Sequence, residues 1–122
     1  MQELVRHIWS VDLGWARRIA GLPELDRETV PAGPLDALFQ LHLEAVEAFR
    51  AVLDNPARDL DEKTKMDFAW MPPEGRNPSR RKAFAHVLIH SQRHWAQLAT
   101  LVRSAGFPSK FRGDILFSPA VL

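Results

Sequence analysis

The sequence predicts an all-α fold, an up-and-down helix bundle with three long helices, in one domain that covers residues 1–122. Three long stretches carry apolar residues at the three- and four-residue spacing of an amphipathic helix. Loops that contain proline or glycine separate these stretches, and the chain has no internal repeat. A chain of 122 residues is long enough to bury one modest core without disulfide bonds.

The first predicted helix runs from Gln2 to Ala20, because Gly21-Leu22-Pro23 supplies signals that end a helix. His7 lies on the flank of its apolar stripe. The stripe itself consists of Leu4, Ile8, Val11, Trp15 and Ile19. A loop then leads to the second helix.

The second predicted helix extends from Pro34 to Leu53, and Asn55-Pro56 interrupts the pattern after it. His42 lies close to the middle of its apolar face. The apolar residues of this helix include Leu35, Phe39, Val46, Phe49, Ala51 and Leu53.

The segment up to Asn77 is predicted to be irregular, with a turn at residues 72–75 and a short extended piece from Met66 to Trp70. Asn77-Pro78 predicts an N-cap followed by a proline in the first turn of the third helix, which ends before Gly106. The last residues are too apolar for a loose tail, and we expect them to pack over the helices. They include Phe107, Phe111, Ile115, Leu116 and Phe117.

The composition is typical of a soluble globular protein, with 46% hydrophobic and 25% charged residues. The 16 basic and 15 acidic residues are interspersed, so nothing indicates a nucleic-acid partner. Cysteine is absent, which excludes disulfides, thiolate metal sites and a cysteine nucleophile. No stretch has the length of a membrane span, and the start lacks the pattern of a signal peptide. We therefore expect a cytoplasmic protein without a membrane partner.

Three histidines stand four residues apart in the third predicted helix, at His86, His90 and His94. Neighbours at this spacing lie on nearly the same helix face, about 6 Å apart, so two neutral imidazoles can bind one metal ion. The outer pair is separated by about 12 Å of helix rise, whereas two zinc–nitrogen bonds span only about 4 Å. A single ion would therefore take one adjacent pair.

The helix face favours the pair His90 and His94. The apolar stripe of this helix consists of Phe84, Val87, Leu88, Ser91, Trp95, Leu98 and Val102. His94 lies within that stripe and His90 at its edge, whereas His86 lies further towards the polar side. Gln97 shares the edge with His94 and is a candidate for contacting the bound ligand or a metal-binding histidine. The alternative is a structural pair, because histidines on amphipathic helices are more often polar contacts than ligands.

A third metal ligand can come from His7 or His42, and the residues alone do not decide between them. His42 is the better centred of the two on the apolar face of its helix. Three imidazoles would leave an ion with open positions, which is typical of a catalytic site. Such an ion lowers the pKa of bound water or binds a thiol as thiolate. Nitrogen ligands suit zinc, nickel, copper and iron alike.

The segment His86-Val-Leu-Ile-His-Ser-Gln-Arg-His-Trp-Ala-Gln97, followed by Gly113-Asp-Ile-Leu-Phe117, resembles the closing helix and tail of the DinB/YfiT-like family. His7-Ile-Trp-Ser-Val-Asp-Leu-Gly-Trp15 resembles the second helix of that family. The resemblance implies a four-helix bundle in which three histidines bind a divalent ion, with zinc and nickel as the first candidates. Carried over by position, these ligands are His7, His90 and His94, and His42 and His86 become packing or supporting residues.

Two departures from the family pattern affect these expectations. The common Arg-Gly-Gln after the last histidine is Trp95-Ala96-Gln97 here, and the bulky Trp95 would alter the packing beside the metal. The first helix of the family has no counterpart, because Met1 falls almost at the start of the second. A fourth element would then come from the C-terminal segment, from another chain or from residues outside this sequence, and we expect a homodimer.

The resemblance also implies a function, since characterised family members use a low-molecular-weight thiol as S-transferases or in the isomerisation of maleylpyruvate. We therefore expect a metal-dependent transferase in which Gln97 or nearby arginines orient a small-molecule substrate. Two alternatives stay open: a non-catalytic metal-containing module for dimerisation or stress response, and a metal-dependent hydrolase. An open coordination position that faces a cleft would favour an enzyme, and a closed one would favour a structural role.

Overall fold

The computed structural model describes residues 1–66 and 71–107, and its architecture there is entirely helical. The three long helices are α1 (Gln2–Ala20), α2 (Leu35–Leu53) and α3 (Arg80–Ser104). Short 3₁₀ helices lie in the two connections, at Arg27–Thr29 and Pro73–Gly75. Within the described ranges there is no strand, only an isolated bridge between Lys63 and Ser79. The predicted all-α bundle with three long helices is confirmed.

Helix α1 occupies the middle of the bundle, since it packs on both α2 and α3. It ends where the sequence predicts, at Gly21, whose positive φ of 74° is the left-handed conformation that glycine adopts at little cost. Its buried face differs from the predicted stripe, because Val5 and Leu13 are in the core while Val11 and Trp15 are half-buried. A helix with neighbours on two sides buries a wider face than one stripe describes.

Helix α2 begins one residue later than predicted and contributes a row of small and branched residues to the core. That row consists of Leu38, Leu41, Ala45, Ala48 and Val52. Leu35, Phe39 and Leu53 remain exposed at 55%, 44% and 58%. The helix carries more apolar residues than α1 can cover, so its sequence alone does not identify the buried face.

The predicted start of α3 is wrong by two residues, because Ser79 and not Asn77 caps the helix. The Ser79 hydroxyl accepts a hydrogen bond from the Lys82 backbone N–H at 3.2 Å. Asn77 has a positive φ of 48°, and its side-chain oxygen accepts from the Met66 backbone N–H at 2.8 Å. The Asn77 side chain therefore links two parts of the loop, and Ser79 caps the helix instead.

Helix α3 is held mainly by its first two turns, where Arg80, Ala83 and Val87 are buried. The Arg80 guanidinium donates from Nε to the Ile19 carbonyl at 2.8 Å and also pairs with Glu62, which fixes the start of α3 against the end of α1. Leu88 was predicted to face the core, but it is 68% exposed.

Two predictions concern residues outside the described ranges. These are the extended piece at 66–70, of which only Met66 is described, and the packing of the C-terminal segment, of which only Phe107 is described. None of the helices in the described part of the chain combines the length and the apolar character needed to cross a bilayer.

Candidate metal centre

Three imidazole rings meet at the contact between α1 and α3. His7 reaches the site from the second turn of α1, and His90 and His94 reach it from successive turns of α3. The His7 ring centroid lies 4.8 Å from that of His94 and 5.7 Å from that of His90. One nitrogen of each ring lies within 4.8 Å of the corresponding nitrogen of the other two. The structure thus brings together the three histidines that the resemblance indicated.

The spacing of the nitrogens fits a common metal ion with a small adjustment. Nitrogens bound at about 2.1 Å to one ion lie about 3.0 Å apart in octahedral and about 3.4 Å apart in tetrahedral geometry. The two Nε2 atoms of His90 and His94 are already 3.2 Å apart. The remaining adjustment falls mainly on His7, whose side chain is exposed.

Gln97 fixes the protonation pattern of this pair. Its side-chain oxygen lies 2.7 Å from Nδ1 of His94, so that nitrogen donates and the Nε2 of His94 presents a lone pair. In the absence of metal, Nε2 of His90 then donates to Nε2 of His94. Binding of an ion at both Nε2 atoms would move the His90 proton to Nδ1, which is buried and has no hydrogen-bond partner among the described residues.

Burial and mutual repulsion lower the pKa of two of the three rings, His7 and His90. Burial lowers the pKa of His90 to about 4, with further lowering by the charges that His94 and His7 would carry. Burial also lowers the pKa of His7, with smaller contributions in the same direction from His94 and Arg27. Neutral imidazole is the form that binds metal, so the lowered pKa of each of these two rings favours its metal-binding form.

A comparison with known protein families identifies the chain. The model of the DinB superfamily matches residues 1–98, which is about four fifths of the sequence. The chain belongs to the DinB superfamily. The matched range includes all three clustered histidines and Gln97. No curated protein and no solved structure gives a significant match.

Asp12 joins the two helices beside the histidine cluster of this DinB-superfamily protein. Its carboxylate is buried and accepts a hydrogen bond from the Ser91 hydroxyl at 2.6 Å. Burial raises the pKa of Asp12, while the Ser91 hydrogen bond and the nearby histidines oppose that shift. The Asp12 carboxylate is therefore engaged by Ser91 of α3.

The two remaining histidines lie outside the cluster. His42 packs against Trp9 and Phe39, with ring centroids 6.0 Å and 5.6 Å away. His86 packs against Trp15 at 4.8 Å. The central position of His42 on its helix thus directs it to an aromatic contact, and the flank position of His7 directs that ring to α3.

A cleft next to His7 was not foreseen from the sequence. It has a volume of about 280 Å³ and lies between the outer face of α1 and the loop that carries Arg27. His7 lines this cleft and also belongs to the histidine cluster. The signal in the sequence was the recurrence of Arg6, Ser10, Gly14 and Arg18 along one face of α1, which has the spacing of a polar helix stripe.

Proposed function

We propose that this DinB-superfamily protein binds a divalent metal ion, zinc or nickel, at His7, His90 and His94. We further propose that it transfers a low-molecular-weight thiol to an electrophilic small molecule. The observation that carries the proposal is the convergence of three imidazoles from two helices, with one nitrogen of each within 4.8 Å of the others. Packing alone does not require three rings to present their nitrogens to a common point.

Access to the cluster supports an enzyme over a purely structural metal site. The group contains three candidate ligands among the described residues, and a fourth position is therefore left for a small molecule. His7 is exposed and opens onto the cleft along α1. A divalent ion held there would supply Lewis acidity, which lowers the pKa of a thiol or of water.

The protein's own residues would orient and stabilise this arrangement. Gln97 holds the His94 ring so that its Nε2 lone pair points at His90. The hydrogen bond between Asp12 and Ser91 fixes α1 against α3 next to His90. This contact sets the distance between His7 on α1 and the two rings on α3. A divalent ion beside the Asp12 carboxylate would also favour the charged form of that group.

The first test is metal content in protein purified without an affinity tag. We expect about one divalent ion per chain in the wild type and at least a tenfold weaker affinity after His90→Ala, because one of three ligands is lost. His42→Ala is the matched control, since this histidine packs against Trp9 and Phe39 outside the cluster and should leave the affinity unchanged. A wild-type protein that takes up no stoichiometric zinc or nickel would overturn the proposal.

The second test is thiol transfer by the zinc- and nickel-loaded proteins. A panel of thiols, including cysteine, glutathione and 3-mercaptopropionate, is offered with a chromogenic aryl halide, and release of the halide is followed. We expect at least a tenfold faster reaction than with chelator-treated protein, and loss of this gain in His90→Ala. Metal binding without any acceleration would favour the non-catalytic module, and hydrolysis of ester substrates instead would favour the hydrolase.

A further inference from the structure

The cleft beside His7 carries an excess of positive charge. Three arginines line it, Arg6, Arg18 and Arg27, against a single acidic residue, Glu3. Its remaining wall is partly apolar, with Val11, Trp15, Leu25 and Val30. A site of this composition suits a molecule with an anionic group at one end and a short carbon skeleton.

The arginines differ in what they already bind. Arg6 donates from Nε to the Pro31 carbonyl at 2.9 Å and from Nη2 to the Val30 carbonyl at 3.3 Å, so it fastens the loop to α1. Arg18 pairs with Glu24 at 3.4 Å. The side chain of Arg27 is exposed and makes no hydrogen bond or ion pair with any other residue that the structure describes.

The position of Arg27 connects it to the histidine cluster. Arg27 and His7 lie on opposite walls of one cleft, the first on the loop and the second on α1. An anion paired with Arg27 would therefore lie beside a candidate metal ligand.

We propose that this cleft binds the carboxylate of a small organic acid at Arg27, with the rest of the molecule extending along α1 towards His7. The volume of about 280 Å³ lies at the lower end of the range for small-molecule sites, which limits the ligand to a short acid. The ligand class in the transfer reaction is thus a thiol or an electrophile that bears a carboxylate. The reaction part rests on the proposed metal site, whereas the carboxylate site does not.

The carboxylate site is tested first in chelator-treated protein, with succinate and its neutral isostere succinamide as probes. Calorimetry or ligand-observed NMR is applied to the wild type, Arg27→Gln, Arg27→Lys and Arg50→Gln. Arg50 is an exposed arginine in the last turn of α2 and does not line the cleft, so it is the matched control. We expect the wild type to prefer succinate about tenfold, because a charge-assisted hydrogen bond contributes on that scale.

The variants decide whether Arg27 is responsible. The preference should disappear in Arg27→Gln, return in part in Arg27→Lys and stay at the wild-type level in Arg50→Gln. Circular dichroism confirms that each variant is folded. A preference that survives in Arg27→Gln, or that is absent from the wild type, would overturn the proposal.

A second comparison uses cobalt-loaded protein with 3-mercaptopropionate and its amide, and follows the sulfur-to-cobalt absorption band. We expect tighter binding of the acid than of the amide in the wild type, and equal binding of the two in Arg27→Gln. Protein that takes up no metal would overturn the proposed function. The succinate measurements would still show whether the carboxylate site exists. Metal-loaded protein that binds both thiols equally would overturn the role of Arg27 in substrate choice and leave the metal site standing.

Discussion

The two contacts of α1 are built from different kinds of residue. Against α2 the contact is apolar and extensive, with Leu38 and Leu41 of α2 buried together with Leu13 and Ala16 of α1. Against α3 the fully buried apolar residues are confined to the first turns of α3. Beyond Val87 the contact consists of the histidine cluster, the Asp12–Ser91 hydrogen bond, aromatic rings and the partly buried Leu98.

This difference indicates a division of tasks between the two contacts. The α1–α2 contact supplies stability through burial of apolar surface, which is the dominant favourable term in folding. The α1–α3 contact positions polar groups, which under the proposed function hold a ligand. The second half of α3 should therefore depend on that ligand more than α2 does.

The largest expected effect lies in the α1–α2 contact. Leu38 is fully buried there, so Leu38→Ala should lower the free energy of unfolding by about 2–5 kcal/mol. Leu43 lies on the same helix and is 41% exposed, so Leu43→Ala should cost less than about 1 kcal/mol. Denaturant unfolding of both variants measures the difference. Equal losses would contradict the assignment of the buried face of α2.

A smaller effect is expected where α1 meets the second half of α3. Asp12→Ala removes the acceptor of the Ser91 hydroxyl and should lower the free energy of unfolding by about 1–3 kcal/mol. Asp12→Asn keeps an acceptor of the same shape and should cost less. Hydrogen exchange should show the loss of protection mainly in residues 88–100 and not in α2. Uniform loss of protection across both helices would contradict the division of tasks.

The sequence predicted the elements of the fold better than their buried faces. The ends of α1 and α2 were predicted to within one residue, because glycine and proline impose local backbone constraints. The buried face of α2 and the exposure of Leu88 were not predictable in this way. Both depend on which neighbour covers a helix, and apolar spacing along one helix does not contain that information.

The candidate site shows the same limit. The spacing of His90 and His94 placed these two rings together, since neighbouring turns of one helix share a face. The residues alone left the choice between His7 and His42 open, because it depends on how α1 is rotated between its neighbours, and that rotation brings His7 to the other two rings. The polar stripe of α1 marks one wall of the cleft at Arg27, but the other wall is a loop that folds back on α1, and no local pattern indicates that return.

The pH dependence of stability should identify His90 as the neutral ring at the centre of the α1–α3 contact. Its pKa is lowered to about 4 in the folded protein, whereas an unfolded histidine has a pKa of about 6.5. Unfolding therefore takes up protons between these values, and stability is full above about pH 6.5 and falls as the pH drops towards about 4. Unfolding of metal-free wild type, His90→Gln and the control His42→Gln at several pH values measures this. The fall should be shallower in His90→Gln alone, and three parallel curves would contradict the assignment.

The smallest effect is expected on the outer face of α3, where Leu88 is 68% exposed. Leu88→Ala should change the free energy of unfolding by no more than about 0.5 kcal/mol, since little apolar surface is removed from water at this position. Denaturant unfolding at two protein concentrations tests this. A loss typical of a core residue, and one that grows with protein concentration, would mean that another chain covers this face. In that case a homodimer would cover the outer face of α3. The high exposure of Leu88 would then hold for the single chain and not for the dimer.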